Sequence, residues 1–175
     1  MFVATSEIVK KANRVYRECG TRDPYRIAAD LGIKILECPF KCQRGAYKMI
    51  DRNRFIFVKD NLPSVMKDIV LLHEIGHDVL HRKEAAEAGG FKEFEIFDMT
   101  NSRMEYEANI FASQVSLDDQ EFIEYCERGY DVQQIACAMN SNINLVALKL
   151  DTLISRGYSL RPQEHRNDFL RYDMT

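Results

Sequence analysis

The sequence predicts an α+β fold: a small antiparallel sheet of about three strands, a helical core, and a C-terminal helix-turn-helix-like unit. Three observations predict it. Apolar residues recur at helical spacing near the N-terminus and again from residue 63 onward. Short β-branched or aromatic runs cluster between residues 33 and 58. Two short helical stretches near the C-terminus are joined by Ser141-Asn142-Ile143. With 175 residues, 46% of them hydrophobic and 29% charged, the chain is long enough and apolar enough to bury a core. On this reading residues 1–117 form the main unit, 118–160 a helical unit, and 161–175 a polar tail.

Taken in order, Ile8, Val9, Ala12, Val15 and Tyr16 define a first helix over residues 5–19, stopped at Gly20. Asp23-Pro24 opens a short second one, with Asp as cap and Pro at the first position, ending near Gly32. Ile33–Cys38, Ala46–Ile50 and Arg54–Val58 read as strands, the last two joined by a turn at Asp51-Arg52-Asn53. Val65, Ile69, Leu72 and Val79 then give a helix from Pro63 to His81. Lys83 to Gly90 is helix-permissive and then flexible, and Phe91, Phe94, Ile96 and Phe97 make an apolar segment expected to cover the core, with walling a substrate cleft as the alternative. Met104, Ala108, Phe111 and Val115 mark the next helix, with N-cap residues at Thr100-Asn101-Ser102. Asp118 to Glu121 caps a helix reaching about Arg128, and helices over 131–140 and 144–153 follow.

The chemistry concentrates in His73-Glu74-Ile75-Gly76-His77. Histidines four apart on a helix share one face, so both imidazoles can reach one metal ion. A Glu directly after the first His sits beside that ion, placed to take a proton from a bound water. Gly76 costs roughly 1 kcal/mol against Ala inside a helix, which points to another backbone packing closely there. Gly and His at positions 80 and 83 would continue a metzincin pattern; Leu80 and Lys83 exclude it.

Only four histidines are present, so the search for a third ligand is short. His81 continues the row, but it lies about 12 Å along the helix axis from His73, too far for one ion to hold both. It is expected to support the site, to face substrate or to cap the helix. His165 falls in the polar tail and is expected to be solvated. A carboxylate remains. Glu105 and Asn109 are four apart on the second long helix, so one can bind the ion while the other hydrogen-bonds a ligand imidazole. Glu107 lies about 200° around that helix from Glu105 and is held in reserve as ligand.

HEIGH followed by Glu105-x-Glu107-Ala108-Asn109-x-Phe111-Ala112 resembles the ImmA/IrrE family of bacterial zinc metallopeptidases, and the Glu-to-Asn spacing is similar to the gluzincin arrangement. The resemblance covers residues 25 to 155. It implies a zincin-type helical core and one zinc ion held by His73, His77 and Glu105, with Glu74 as general base and Asn109 behind a ligand. It also implies a protein substrate: relatives cleave a repressor of a mobile element or of a stress response. Many relatives carry a Leu-Leu-Met-Pro type segment where Val115-Ser116-Leu117-Asp118 stands here, a departure expected to alter a helix end and not the metal site. Thermolysin-like enzymes bind extended substrate along an edge strand, and Gly45 to Met49 is the candidate edge, a central position in the sheet being the alternative. A developing oxyanion needs a further electrophile, for which Tyr106, Tyr47 and His81 are candidates.

Net charge of −3 argues against a nucleic-acid or membrane surface, and no apolar run or signal-like start points out of the cytoplasm. Five cysteines at scattered positions agree with free, buried or partly buried thiols; Cys38 and Cys42 lack the second pair that a zinc knuckle needs. Lys149 is the only basic residue between Asp131 and Leu153, so the helix-turn-helix-like unit is expected to be structural or to dock protein, with no direct DNA contact. Two rival readings stand beside the peptidase: a regulator that binds a repressor around a structural or vestigial metal site, and a DNA-binding regulator.

Overall fold

A computed structural model describes residues 2–87 and 102–161. Helix α1 (Phe2–Cys19) ends at Gly20, whose φ of 63° is a left-handed stop that a side chain would strain. In α2 (Pro24–Leu31) the Asp23 side chain accepts from the Tyr25 amide, and Gly32 closes the helix at φ 71°. Strand β1 (Ile33–Cys38) follows at once. Strands β2 (Gly45–Ile50) and β3 (Asn53–Lys59) form a hairpin whose two turn residues, Asp51 and Arg52, both take positive φ. That turn type suits the natural twist of paired strands.

The three strands are in the order β1-β3-β2. Only β2–β3 is antiparallel; β1 pairs with β3 in parallel, Ile33 opposite Arg54 through Cys38 opposite Lys59. The sheet is therefore mixed, where the sequence suggested antiparallel pairing throughout. The cause is the 39–44 connection, which carries the chain past the position of β3, so that β3 returns between its two predecessors, parallel to β1. Among the described residues strand β2 is left at the edge, the candidate position of Gly45 to Met49 rather than its central alternative, and it lies against α3.

Helix α3 (Ser64–Leu80) carries the HEIGH stretch, with Pro63 as the residue before it rather than in its first turn. Helix α4 (Arg82–Glu87) is short and superficial; the aromatic segment at 91–97 and the tail with His165 lie outside the described residues. Helix α5 (Ser102–Ser116) packs against α3, α1 and α8. Ala108, Ile110, Phe111, Ala112 and Val115 are fully buried there, and an inaccessible Phe alone contributes about 2–3 kcal/mol of hydrophobic stabilisation. Gly76 explains the tightness of the α3–α5 crossing: a Cβ on it would meet the Ala108 backbone at 3.3 Å and Phe111 at 3.2 Å.

Asp118 caps α6 (Asp119–Glu127) through the Gln120 and Glu121 amides, and Asp131 with Gln134 forms a capping box on α7 (Val132–Ala138). Asn142 caps α8 (Ile143–Ser155). One side of α8, at Leu145 and Leu148, joins the main core, and another, at Val146, Ala147, Leu150 and Leu153, packs on α6 and α7. All five cysteines are free, and Cys42 and Cys137 are exposed where burial was expected.

Candidate metal centre

Helical periodicity on α3 and α5 brings four side chains to one point. His73 and His77, one turn apart on α3, place their Nε2 atoms 3.1 Å from each other. Glu105 reaches across from α5, with Oε2 at 3.2 Å from His73 Nε2 and Oε1 at 3.3 Å from His77 Nε2. Ligand atoms of these three residues all lie within 4.8 Å of one another, a group able to hold one metal ion. Both histidines are buried, so these nitrogens cannot turn to water instead. Asn109, one turn beyond Glu105, puts Oδ1 2.8 Å from His73 Nδ1. An amide oxygen only accepts, so His73 carries its proton on Nδ1 and keeps a lone pair on Nε2, facing Glu105.

Glu74 lies beside this group, 3% exposed, and its Oε2 has no hydrogen-bond partner. Its other support comes from β2, where the Tyr47 backbone amide donates to its carboxylate. Gly45 makes room: a Cβ there would stand 2.8 Å from Glu74 Oε1 and 2.6 Å from Val70. A buried carboxylate oxygen without a partner is rare and calls for a ligand or a reactive role.

The family model for the IrrE N-terminal-like domain, a peptidase domain, matches residues 28–151. The chain belongs to the ImmA/IrrE family. It is also 29% identical over 146 residues to "Uncharacterized immunity region protein 2" of Bacillus phage phi105, a match covering 81% of this chain and 89% of that one. The HEIGH and Glu105-to-Asn109 stretches both lie inside the matched region.

Electrostatics in this ImmA/IrrE site follow from burial and proximity. Burial pushes the Glu74 carboxyl up to about 8, helped by the Glu105 charge and opposed by His73 and the Tyr47 amide. Burial pushes His77 down to about 4, keeping it neutral. At Glu105 burial is outweighed by the two histidines, which hold its carboxyl far below the usual range. At His73 burial is likewise outweighed, by Glu105 and Glu74, so its pKa rises. A neutral His77 and an ionised Glu105 are the forms in which those side chains bind a metal ion.

The other sequence candidates are placed elsewhere. Glu107, the reserve ligand, points away from Glu105 and holds His81, with Oε2 3.1 Å from His81 Nε2. His81 in turn stands behind His77, their Nδ1 atoms 3.1 Å apart. The Tyr47 hydroxyl donates to Asp78 Oδ1 at 2.7 Å, on the α3 turn after Glu74. Tyr106 is half-buried against the main core, its hydroxyl pushed up by burial and by Asp151 of α8.

Sequence reasoning missed the buried Asp78. It accepts from Tyr47, from Arg54 Nη1 at 2.9 Å and from Arg82 Nη2 at 2.7 Å, and so ties both strands of the hairpin to α3. Its signal was available, because an Asp directly after the second His falls one turn from Glu74 on the same helix. Gly45 was named only as part of an edge strand. Its role under Glu74 depends on a contact between segments far apart in the chain.

Proposed function

We propose that this chain is a cytoplasmic zinc-dependent endopeptidase that cleaves a specific protein, a transcriptional repressor of a mobile genetic element or stress regulon. The observation carrying this reading is the convergence of His73, His77 and Glu105 beside the unpartnered Glu74 oxygen. Two imidazoles and one carboxylate are the donor set of a catalytic zinc site, in which a fourth position stays open. Bound there, zinc would acidify a water and polarise the scissile carbonyl.

The remaining steps belong to the chain. Glu74 accepts the proton of the attacking water at its unpartnered Oε2 and delivers it to the leaving amine nitrogen. The Tyr47 amide and the space over Gly45 hold that carboxylate in place. Strand β2, at the edge of the sheet and next to Glu74, offers main-chain groups to an extended peptide, which gives affinity with little demand on its sequence. The repressor substrate is supported by family membership and by the phage relative, whose name ties that protein to an immunity region. Direct DNA reading is disfavoured: Leu145 through Leu150 of α8 are all buried, Lys149 among them, so α8 has no recognition face to lay in a groove.

The test co-expresses the chain with candidate repressors and compares wild type with Glu74→Gln, measuring metal content in both. Two repressor fragments with wild type alone, and metal in both proteins, support the reading. Relief of repression by Glu74→Gln without fragments overturns it in favour of a binding protein.

A further inference from the structure

We propose that His81 and Glu107 are positioning residues for the metal centre: they form a hydrogen-bonded chain that fixes the tautomer of His77 and so sets metal affinity. The inference rests on the metal-binding reading above. Helix α3 presents His73, His77 and His81 at one-turn intervals, with ring centroids 4.8 Å and 5.2 Å apart. His81 is 6% exposed, and both of its ring nitrogens are engaged.

The directions of the bonds follow from the far end. Arg103 Nε donates to Glu107 Oε1 at 2.6 Å, and Glu107 Oε2 lies 3.1 Å from His81 Nε2. An ionised carboxylate only accepts, so the proton in the second bond sits on His81 Nε2. A neutral imidazole has one such proton. In that neutral form His81 Nδ1 is an acceptor, and across 3.1 Å it accepts a hydrogen bond from His77 Nδ1–H. His77 is left with a lone pair on Nε2, the atom that faces His73 and Glu105. The opposite tautomer would put an N–H among the three donors and spoil the site.

The two histidine ligands are thus backed differently. Asn109, a neutral amide, stands behind His73, whereas a second imidazole ending on a carboxylate stands behind His77. A carboxylate at the end of such a chain makes the ligand nitrogen a better donor, and loss of partners of this kind typically costs 10- to 100-fold in metal affinity. The bland alternative is that His81 merely ends α3 through its backbone amide, which donates to His77 O at 2.9 Å. That role needs no ring, and it does not account for Glu107.

The experiment measures zinc affinity of the full chain by competition with a chromophoric chelator, and unfolding of the metal-free protein in parallel. Wild type is compared with His81→Ala, His81→Asn, Glu107→Gln and, as a benchmark, Asn109→Ala. Expected is a roughly 10- to 100-fold loss for His81→Ala and a smaller loss for Glu107→Gln. Partial recovery is expected for His81→Asn, whose amide oxygen can accept from His77. Glu107→Gln lies toward the surface and keeps the test valid if His81→Ala folds poorly. Wild-type affinity in both His81→Ala and Glu107→Gln overturns the proposal while leaving the metal centre standing. Affinity losses that track metal-free stability in every variant overturn it as well. A wild type that binds no zinc overturns the metal-centre reading, and this inference with it.

Discussion

Near its start α5 delivers Glu105 and Asn109 to the histidines of α3; near its end it delivers Gln114 to Lys149 of α8. Both places bury charge. Around Lys149 no buried polar atom among the described residues is left without a partner: its Nζ donates to Gln114 Oε1 at 2.7 Å and to Asp119, and Arg156 holds the other Asp119 oxygen at 2.7 Å. Gln114 Nε2 in turn donates to Asn13 and Asp119, both at 2.9 Å. Around His73 and His77 the count does not close, since Glu74 Oε2 and Glu105 Oε1 make no hydrogen bond. A satisfied buried cluster fastens α1, α5, α6 and α8 together. An unsatisfied one, with lone pairs converging, is kept open for something else.

The sharpest break in this comparison comes from Glu74→Gln. For the proposed endopeptidase it should lower substrate cleavage by about 10²–10⁴-fold while leaving metal content and folding intact, because the change is isosteric and removes no ligand. Unchanged cleavage would make the open cluster as structural as the closed one. Next in size is the metal itself. Zinc at about 1,000 times its Kd should add about 4 kcal/mol to stability, lost on chelation and read as a fall in Tm. Lys149→Ala should cost roughly 3 kcal/mol by stranding Gln114 and Asp119, and this cost should be the same with and without zinc. A zinc-dependent cost, seen in denaturant titrations, would couple the two clusters and erase the contrast.

The smallest effect is one of pH. Burial lowers the Lys149 ammonium from its ordinary 10.5 to about 8, against the pull of Asp119. Below about 8 native and unfolded chains both hold that proton; between 8 and 10.5 only the unfolded chain does. The unfolded state then binds more protons, so the Lys149 contribution to stability rises with pH across that window. Lys149→Met should flatten the rise, as followed by urea midpoints from pH 8 upward; an identical slope in both proteins would refute it.

Much of the metal centre is legible in the order of the amino acids. His73 and His77 four apart, and Glu105 and Asn109 four apart, are statements about one helix at a time, where a period of 3.6 residues decides which side chains share a face. The same holds for the caps at Asp23 and Asp118. What lies between elements is not legible in that way. Glu107 reads as a spare ligand until the angle between α3 and α5 turns it to His81. Tyr47 reads as an electrophile until β2 docks its hydroxyl on Asp78. Lys149 reads as an ordinary helix cation, and only the packing of α8 among its neighbours makes it buried.

The amino-acid sequence by itself determined the helices and strands, the side chains that could meet a metal, and the family to which the chain belongs. Each of these depends on spacing within a few residues, which local backbone geometry enforces. Tertiary structure alone decided that β3 would lie between β1 and β2, that Gly45 would sit over Glu74, and that His77 would be backed by a chain ending on Glu107. Those contacts join segments tens of residues apart, and their existence depends on how whole surfaces fit together, a global balance that no short stretch of sequence records.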